Sequence, residues 1–131
     1  MRNRGAAIII EESKVAVIKR TRAGQVYYVF PGGGIEKGET PEMATKREVF
    51  EELGVNIIVK DCIKVVEYNG TQYYFLSDII GGKFGAGLGD EFTHTNMDRG
   101  TYEPMWVEID KLSSLDIRPK EVAEKIKSIF M

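Results

Sequence analysis

Apolar and polar positions change period several times along the chain, and each change marks an element. From Arg4 the segment "RGAAIIIEESKVAVIKR" is apolar on both sides of a polar stretch, Glu11 to Lys14, which predicts two strands around a turn. The run "VYYVF" is a third strand, stopped by Pro31 and the three glycines after it. A loop from Gly32 to Glu39 then leads into a helix. Thr40 suits its N-cap, Pro41 its first helical position, Glu42 its first turn, and Gly54 the left-handed residue beyond its end. The stretch "VNIIVKDCIKVVEYNGTQYYFLSDII" returns to strand character about Asn69-Gly70, a strong hairpin pair. A glycine-rich loop, "GGKFGAGLGDE", follows it, and "TYEPMWVEID" is a further strand whose Pro104 requires an edge or a bulge. The last segment is a helix with Pro119 at its start and Val122, Ile126 and Ile129 as its apolar stripe. The order β-β-β-α-β-β-β-α predicts an α/β fold, a mixed sheet with helices packed on it.

Composition narrows the classes. A chain of 131 residues with no repeat or linker suits one domain, residues 1–131, and 43% hydrophobic against 29% charged residues suits a packed core. A net charge of −2 argues against a broad nucleic-acid or membrane footprint. Cys62 and His94, the sole cysteine and histidine, exclude an internal disulfide and a Cys/His zinc site, and Cys62 is expected to pack as a small apolar residue. The apolar run Gly5 to Ile10 is too short for a signal segment or a membrane span. The expectation is a soluble cytoplasmic enzyme or binding protein.

The segment "REVFEELGV" raises the chemical question, because Glu48, Glu51 and Glu52 are spaced to repel one another on a helix. With Met43 at zero, Arg47 falls at about 40°, Glu51 at about 80°, Glu48 at about 140° and Glu52 at about 180°. Val49, Leu53, Phe50 and Met43 fill the arc from about 240° round to zero, predicting an apolar core face opposite a fan of carboxylates. A hard divalent cation such as Mg²⁺ or Mn²⁺ offsets that repulsion, and Arg47 offers a planar fork that fixes a carboxylate. The bland alternative is a solvated acidic face paired to Lys46 or Arg47. Against it stands the loop "PGGGIEKGE", which runs directly into the helix and lets backbone approach a ligand closely.

Gly33, Glu39, Arg47, Glu48, Val49, Glu51, Glu52, Gly54 and Val55 match, without departure, a known pattern. It runs Gly, five residues, Glu, seven residues, Arg-Glu, an aliphatic residue, any residue, Glu-Glu, any residue, Gly and an aliphatic residue. The segment resembles the Nudix box, and the rest of the chain resembles that family more loosely, by length, strand order and last helix. The resemblance implies an α/β/α sandwich and a Mg²⁺- or Mn²⁺-dependent hydrolase. Its substrate would be a small nucleoside diphosphate linked to some moiety X, cleaved by water attack at phosphorus. It implies Glu51 and Glu52 as metal ligands, Glu48 as a ligand or as the base, Arg47 as the residue orienting Glu48, and a carbonyl of Gly32 or Gly33 as a further ligand. Glu39 would act structurally or beside the substrate.

Beyond the box, Glu91 is the candidate for an additional catalytic carboxylate, with Asp90 and Glu103 as rivals. His94 reads first as a surface loop residue, with a phosphate contact or a role as base as its alternatives, and Arg4, Arg20 and Arg22 are candidates for substrate phosphate. Tyr27, Tyr28, Phe30, Tyr73, Tyr74 and Phe75 divide by alternation between core and base-stacking positions. Tyr73 falls near the tyrosine of dinucleoside polyphosphate hydrolases. The proline typical of ADP-ribose pyrophosphatases is missing between Pro41 and Pro104. Glycines at 81, 82, 85, 87 and 89 suggest a loop that closes over substrate. Nucleoside triphosphates, ADP-ribose, dinucleoside polyphosphates and nucleotide sugars stay open, with RNA caps disfavoured. The alternatives are a non-catalytic nucleotide sensor, against which the intact box counts, and an isoprenoid diphosphate isomerase, which wants more His and Cys. Homodimers are common in such a family, and no interface is legible here.

Overall fold

The computed structural model describes residues 2–86 and 100–131. The chain forms β1 (Arg4–Glu11), β2 (Lys14–Arg22), β3 (Gln25–Val29), β4 (Gly32–Gly34), α1 (Pro41–Leu53), β5 (Val55–Glu67), β6 (Thr71–Gly82) and β7 (Thr101–Glu108). A short 3-10 helix (Ile109–Ser114), β8 (Ile117–Arg118) and α2 (Lys120–Phe130) complete it. The strands make two halves of one curled sheet, β5-β6-β1-β4 and β7-β2-β3-β8, joined where β1 turns into β2. β1 runs parallel to β6 and β3 parallel to β8, while the remaining pairs are antiparallel, which is the mixed sheet expected.

Alternation along β1 and β2 builds two cores from the same strands. Ile8, Val15 and Val17 point to the side covered by Val122, Ala123 and Ile126 of α2. Ile9, Ala16 and Ile18 point to the side covered by Val49 and Leu53 of α1. Helices on both faces give the α/β/α sandwich. Turns fall where the sequence places them: Glu12 and Ser13 take φ of 51° and 64°, and Asn69 and Gly70 take 52° and 112°. These are the left-handed values that a two-residue hairpin needs. Pro104 lies on β7, which among the described strands pairs with β2 alone and so is an edge.

Several expectations are corrected. The glycines 32–34 are not open loop but a short strand against β1. The buried face of α1 holds Ala44, Thr45, Val49, Glu52 and Leu53, whereas Met43 and Phe50 are exposed. Val49 and Leu53 keep their expected place in the core, but the helix is turned so that Thr45 and Glu52 join them and Met43 and Phe50 face outward. Gly5 allows this, since a Cβ there would meet the carbonyl oxygen of Pro41 at 2.6 Å and the Thr45 hydroxyl closer still. Ile129 is exposed, and Ala123 takes the place expected for it in the stripe. Cys62 is exposed too, at an irregularity in the pairing of β5 with β6. No described helix is long and apolar enough to cross a membrane.

Candidate active site

The site forms where α1 lies along the free edge of β4. Thr40 caps the helix by accepting from Met43 N–H at 3.1 Å, and Gly54, at φ 78°, closes it by donating to Phe50 C=O at 2.9 Å. The edge of β4 has a definite polarity. Ala7 N–H donates to Pro31 C=O and Ile35 N–H to Asn3 C=O, each at 2.9 Å. With Gly5 opposite Gly33, antiparallel alternation makes these two the mutually bonded pair, so Gly33 spends both backbone groups on β1. Gly32 and Gly34 turn theirs outward. There Gly32 N–H donates to Glu52 Oε1 at 2.7 Å, and Gly34 C=O accepts from Arg47 Nη2 at 3.1 Å. Gly33 also leaves room for the Glu48 carboxylate, since a Cβ there would lie 2.6 Å from Glu48 Oε1 and push it from its place.

Arg47 is the hub. Its Nε and Nη2 donate to the two oxygens of Glu39 at 2.8 and 2.9 Å, a bidentate pair. Its Nη1 reaches Glu48 Oε2 at 3.2 Å and Glu51 Oε2 at 3.5 Å. Glu39 also accepts from Glu36 N–H at 2.9 Å. Arg47, followed by that amide, holds the Glu39 carboxyl down at about 2, and Glu39 in turn pushes Arg47 further above its ordinary range. Glu48 is displaced the other way. Burial foremost, and then the charge of Glu51, raise its carboxyl above the ordinary range, while Arg47 and the more distant Arg4 oppose the shift.

Glu48, Glu51 and Glu52 thus converge on one edge, with Glu52 buried at 8% exposure and Glu51 open to solvent. Among the described residues no three acidic, His or Cys side chains stand grouped to hold a metal as they are. Arg47 Nη1 bridges Glu48 and Glu51, so a cation held by Glu51 takes the place of the longer of these two contacts and leaves that to Glu48. The donor set of carboxylates and an edge carbonyl fits a hard divalent cation, and it contains no softer ligand.

The remaining candidates scatter. Arg4 is exposed at the start of β1, opposite Gly34. Arg20 lies on the α1 side of β2, its Cζ 4.0 Å from the centroid of the Tyr102 ring. Arg22 is exposed at the end of β2. Glu103 pairs with Lys19 in the register that alternates with Ile18, so it lies on the α2 side, away from the carboxylates. Tyr73 stands on β6, separated from β4 by β1, with its ring stacked on Phe75 at 6.3 Å. Of the other aromatics, Phe30, Tyr74 and Phe75 are core. Asp90, Glu91 and His94 lie outside the described residues, as do Gly87 and Gly89. Two partners of the Arg47–Glu39 pair escape sequence reasoning: the Gly34 carbonyl, which strand register turns to Arg47, and the Glu36 amide, which bonds Glu39 within the loop.

The family model for the NUDIX domain matches residues 1–127. The chain belongs to the NUDIX family. Over 49 residues it is 49% identical to an RNA pyrophosphohydrolase of Yersinia enterocolitica, a stretch that covers 37% of this chain and 28% of that protein. This NUDIX chain therefore aligns with little more than a quarter of that relative. A NUDIX hydrolase from Nitrosomonas europaea superposes with a TM-score of 0.75 at 21% identity, covering 98% of this chain and 87% of that one. A MutT structure reported for Aliivibrio salmonicida and Vibrio cholerae superposes with a TM-score of 0.73 at 20% identity, covering 97% and 96%. At such identities the likeness is one of fold.

Proposed function

We propose that this NUDIX chain is a cytoplasmic, Mg²⁺- or Mn²⁺-dependent hydrolase of a pyrophosphate bond in a nucleoside diphosphate linked to a moiety X. The observation that carries the reading is the gathering of Glu48, Glu51 and Glu52 at the free edge of β4, organised by Arg47. Glu51 and Glu52 hold the cation with the Gly32 carbonyl, which lies on the open edge where that of Gly33 does not. When bound, the cation lowers the pKa of water and screens the phosphates from an anionic nucleophile. Glu48 takes the proton of the attacking water, and its partly buried carboxylate is the more basic for its surroundings. Arg47 orients Glu48 and is itself fixed by Glu39, whose two oxygens it occupies. Glu39 is thereby assigned to positioning, and Arg4 and Arg20 to substrate phosphate. Glu91 keeps its proposed place as an additional carboxylate.

Product analysis tests this. The protein is incubated with Mg²⁺ or Mn²⁺ and dNTPs, ADP-ribose, NADH, dinucleoside polyphosphates and nucleotide sugars. An RNA with a terminal pyrophosphate joins the panel because of the partial match to RNA pyrophosphohydrolases. Metal-dependent cleavage of one compound, lost in Glu52→Gln, is the expected result and names X. Tight binding of a compound with no turnover of any would replace the hydrolase with a nucleotide sensor.

A further inference from the structure

The α1 side of the second half-sheet carries a row of rings and guanidinium groups, and of these the proposed hydrolase site uses Arg20 and leaves Arg118 without a role. Arg20 on β2 lies opposite Tyr102 on β7 and Tyr27 on β3. Arg118 on β8 lies opposite Val29, and Val29 packs into the core that includes Val49 and Leu53 of α1. Side chains of paired residues share a face, so Arg118 emerges on the same side of the sheet as the carboxylates. Val29 precedes Gly32 by three residues, about 10 Å of extended chain.

Arg118 is fixed on two sides. Its Cζ lies 4.2 Å from the centroid of the Tyr27 ring. Its Nε and Nη2 donate to the two oxygens of Asp116 at 3.2 and 2.9 Å. The side chain is nevertheless 49% exposed. One face of the guanidinium is backed by a ring and one edge is held by a carboxylate, while about half of the side chain's surface stays open to solvent. Asp116 also offsets the positive charge, so the group is a poor trap for phosphate. What remains is a flat, weakly hydrated, pre-positioned surface, the kind on which a nucleobase stacks.

We propose that the outward face of Arg118, backed by Tyr27 and held by Asp116, stacks the base of the nucleotide substrate and makes Arg118 a specificity-determining residue. The proposal rests on the hydrolase reading only for the identity of the ligand as a substrate. Stacking of this kind accepts any base, so the site separates nucleotides from base-free phosphates rather than one base from another.

Equilibrium binding of AMP, GMP, CMP and UMP, with ribose 5-phosphate as the base-free control, tests this by calorimetry on the wild type, Arg118→Ala and Arg118→Lys. No turnover is needed. The wild type is expected to bind the four nucleotides about 5- to 50-fold more tightly than ribose 5-phosphate. Both variants should lose that margin, Lys included, because it keeps the charge and loses the plane. Nucleotide affinity unchanged in Arg118→Ala, full rescue by Lys, or no preference over ribose 5-phosphate in the wild type would overturn the proposal. Variant-sensitive binding in a protein that hydrolyses nothing would leave the base site standing and remove the hydrolase. Turnover indifferent to Arg118→Ala would do the reverse.

Discussion

α2 lays Val122, Ala123 and Ile126 on Ile8, Val15 and Val17 with no charge among them, while α1 lays Val49 and Leu53 on Ile9 and Ile18 beside a buried Glu52 and a half-buried Glu48. The strands beneath are the same, and alternation hands successive residues to opposite helices. The buried polar residues among those described are Thr45, Glu52 and Ser77, and two of the three lie on α1. One face is therefore built by hydrophobic burial alone. The other accepts a charged carboxyl in a place that resists its charge, because Gly5 and Gly33 let the helix approach with its polar side. The difference shows how a single sheet separates stability from chemistry.

The largest expected effect breaks the comparison on the α1 side. Glu48→Gln should lower turnover by about 10²–10⁴-fold if Glu48 is the base. The same variant, freed of metal with EDTA, should melt higher than wild type. Burial and Glu51 disfavour the Glu48 charge, so the neutral isostere relieves the fold. Steady-state kinetics and a thermal melt on one preparation check both halves. Next is the opposite pattern on the α2 side. Ile126, fully buried, should cost about 2–5 kcal/mol when cut to alanine, read by urea unfolding, with kcat unchanged at temperatures where the variant stays folded.

Arg47→Lys is smaller. It keeps a charge but loses the fork that holds Glu39, Glu48 and the Gly34 carbonyl together, and a loss of about 10–100-fold in metal affinity or activity is expected. The smallest effect is a pH dependence. The Glu39 carboxyl is held at about 2 in the fold, below its ordinary value, so its contribution is complete above that ordinary value and disappears as the pH falls towards 2. Wild type should be more stable than Glu39→Gln at neutral pH, and the difference should shrink steadily in acid.

Much of this was legible in the sequence because it is local. Thr40, Pro41 and Gly54 bound the helix within the chain itself, Asn69-Gly70 turns the hairpin, and Gly33 to Val55 carries the family pattern in consecutive residues. What escaped depends on partners far along the chain. Met43 and Phe50 read as core because a helix is expected to bury its most apolar arc, but the close approach at Gly5 turns Thr45 and Glu52 inward beside Val49 and Leu53 instead. Strand β4 reads as loop in the sequence, since three glycines carry no strand preference, and pairing with β1 is what makes them a strand. That Gly32, and not Gly33, turns its carbonyl to the open edge is a matter of ladder parity, which no local pattern encodes. The Tyr27–Arg118 stack joins residues from opposite ends of the chain.

The most direct test of the central claim is Mn²⁺ binding followed by electron paramagnetic resonance, titrated into wild type, Glu48→Gln, Glu52→Gln and Ile126→Ala. The account predicts one site in wild type, kept in Ile126→Ala and strongly weakened in Glu52→Gln, with Glu48→Gln between them. Binding that is indifferent to Glu52 and Glu48 would contradict it and move the cation, and the chemistry with it, away from the edge of β4.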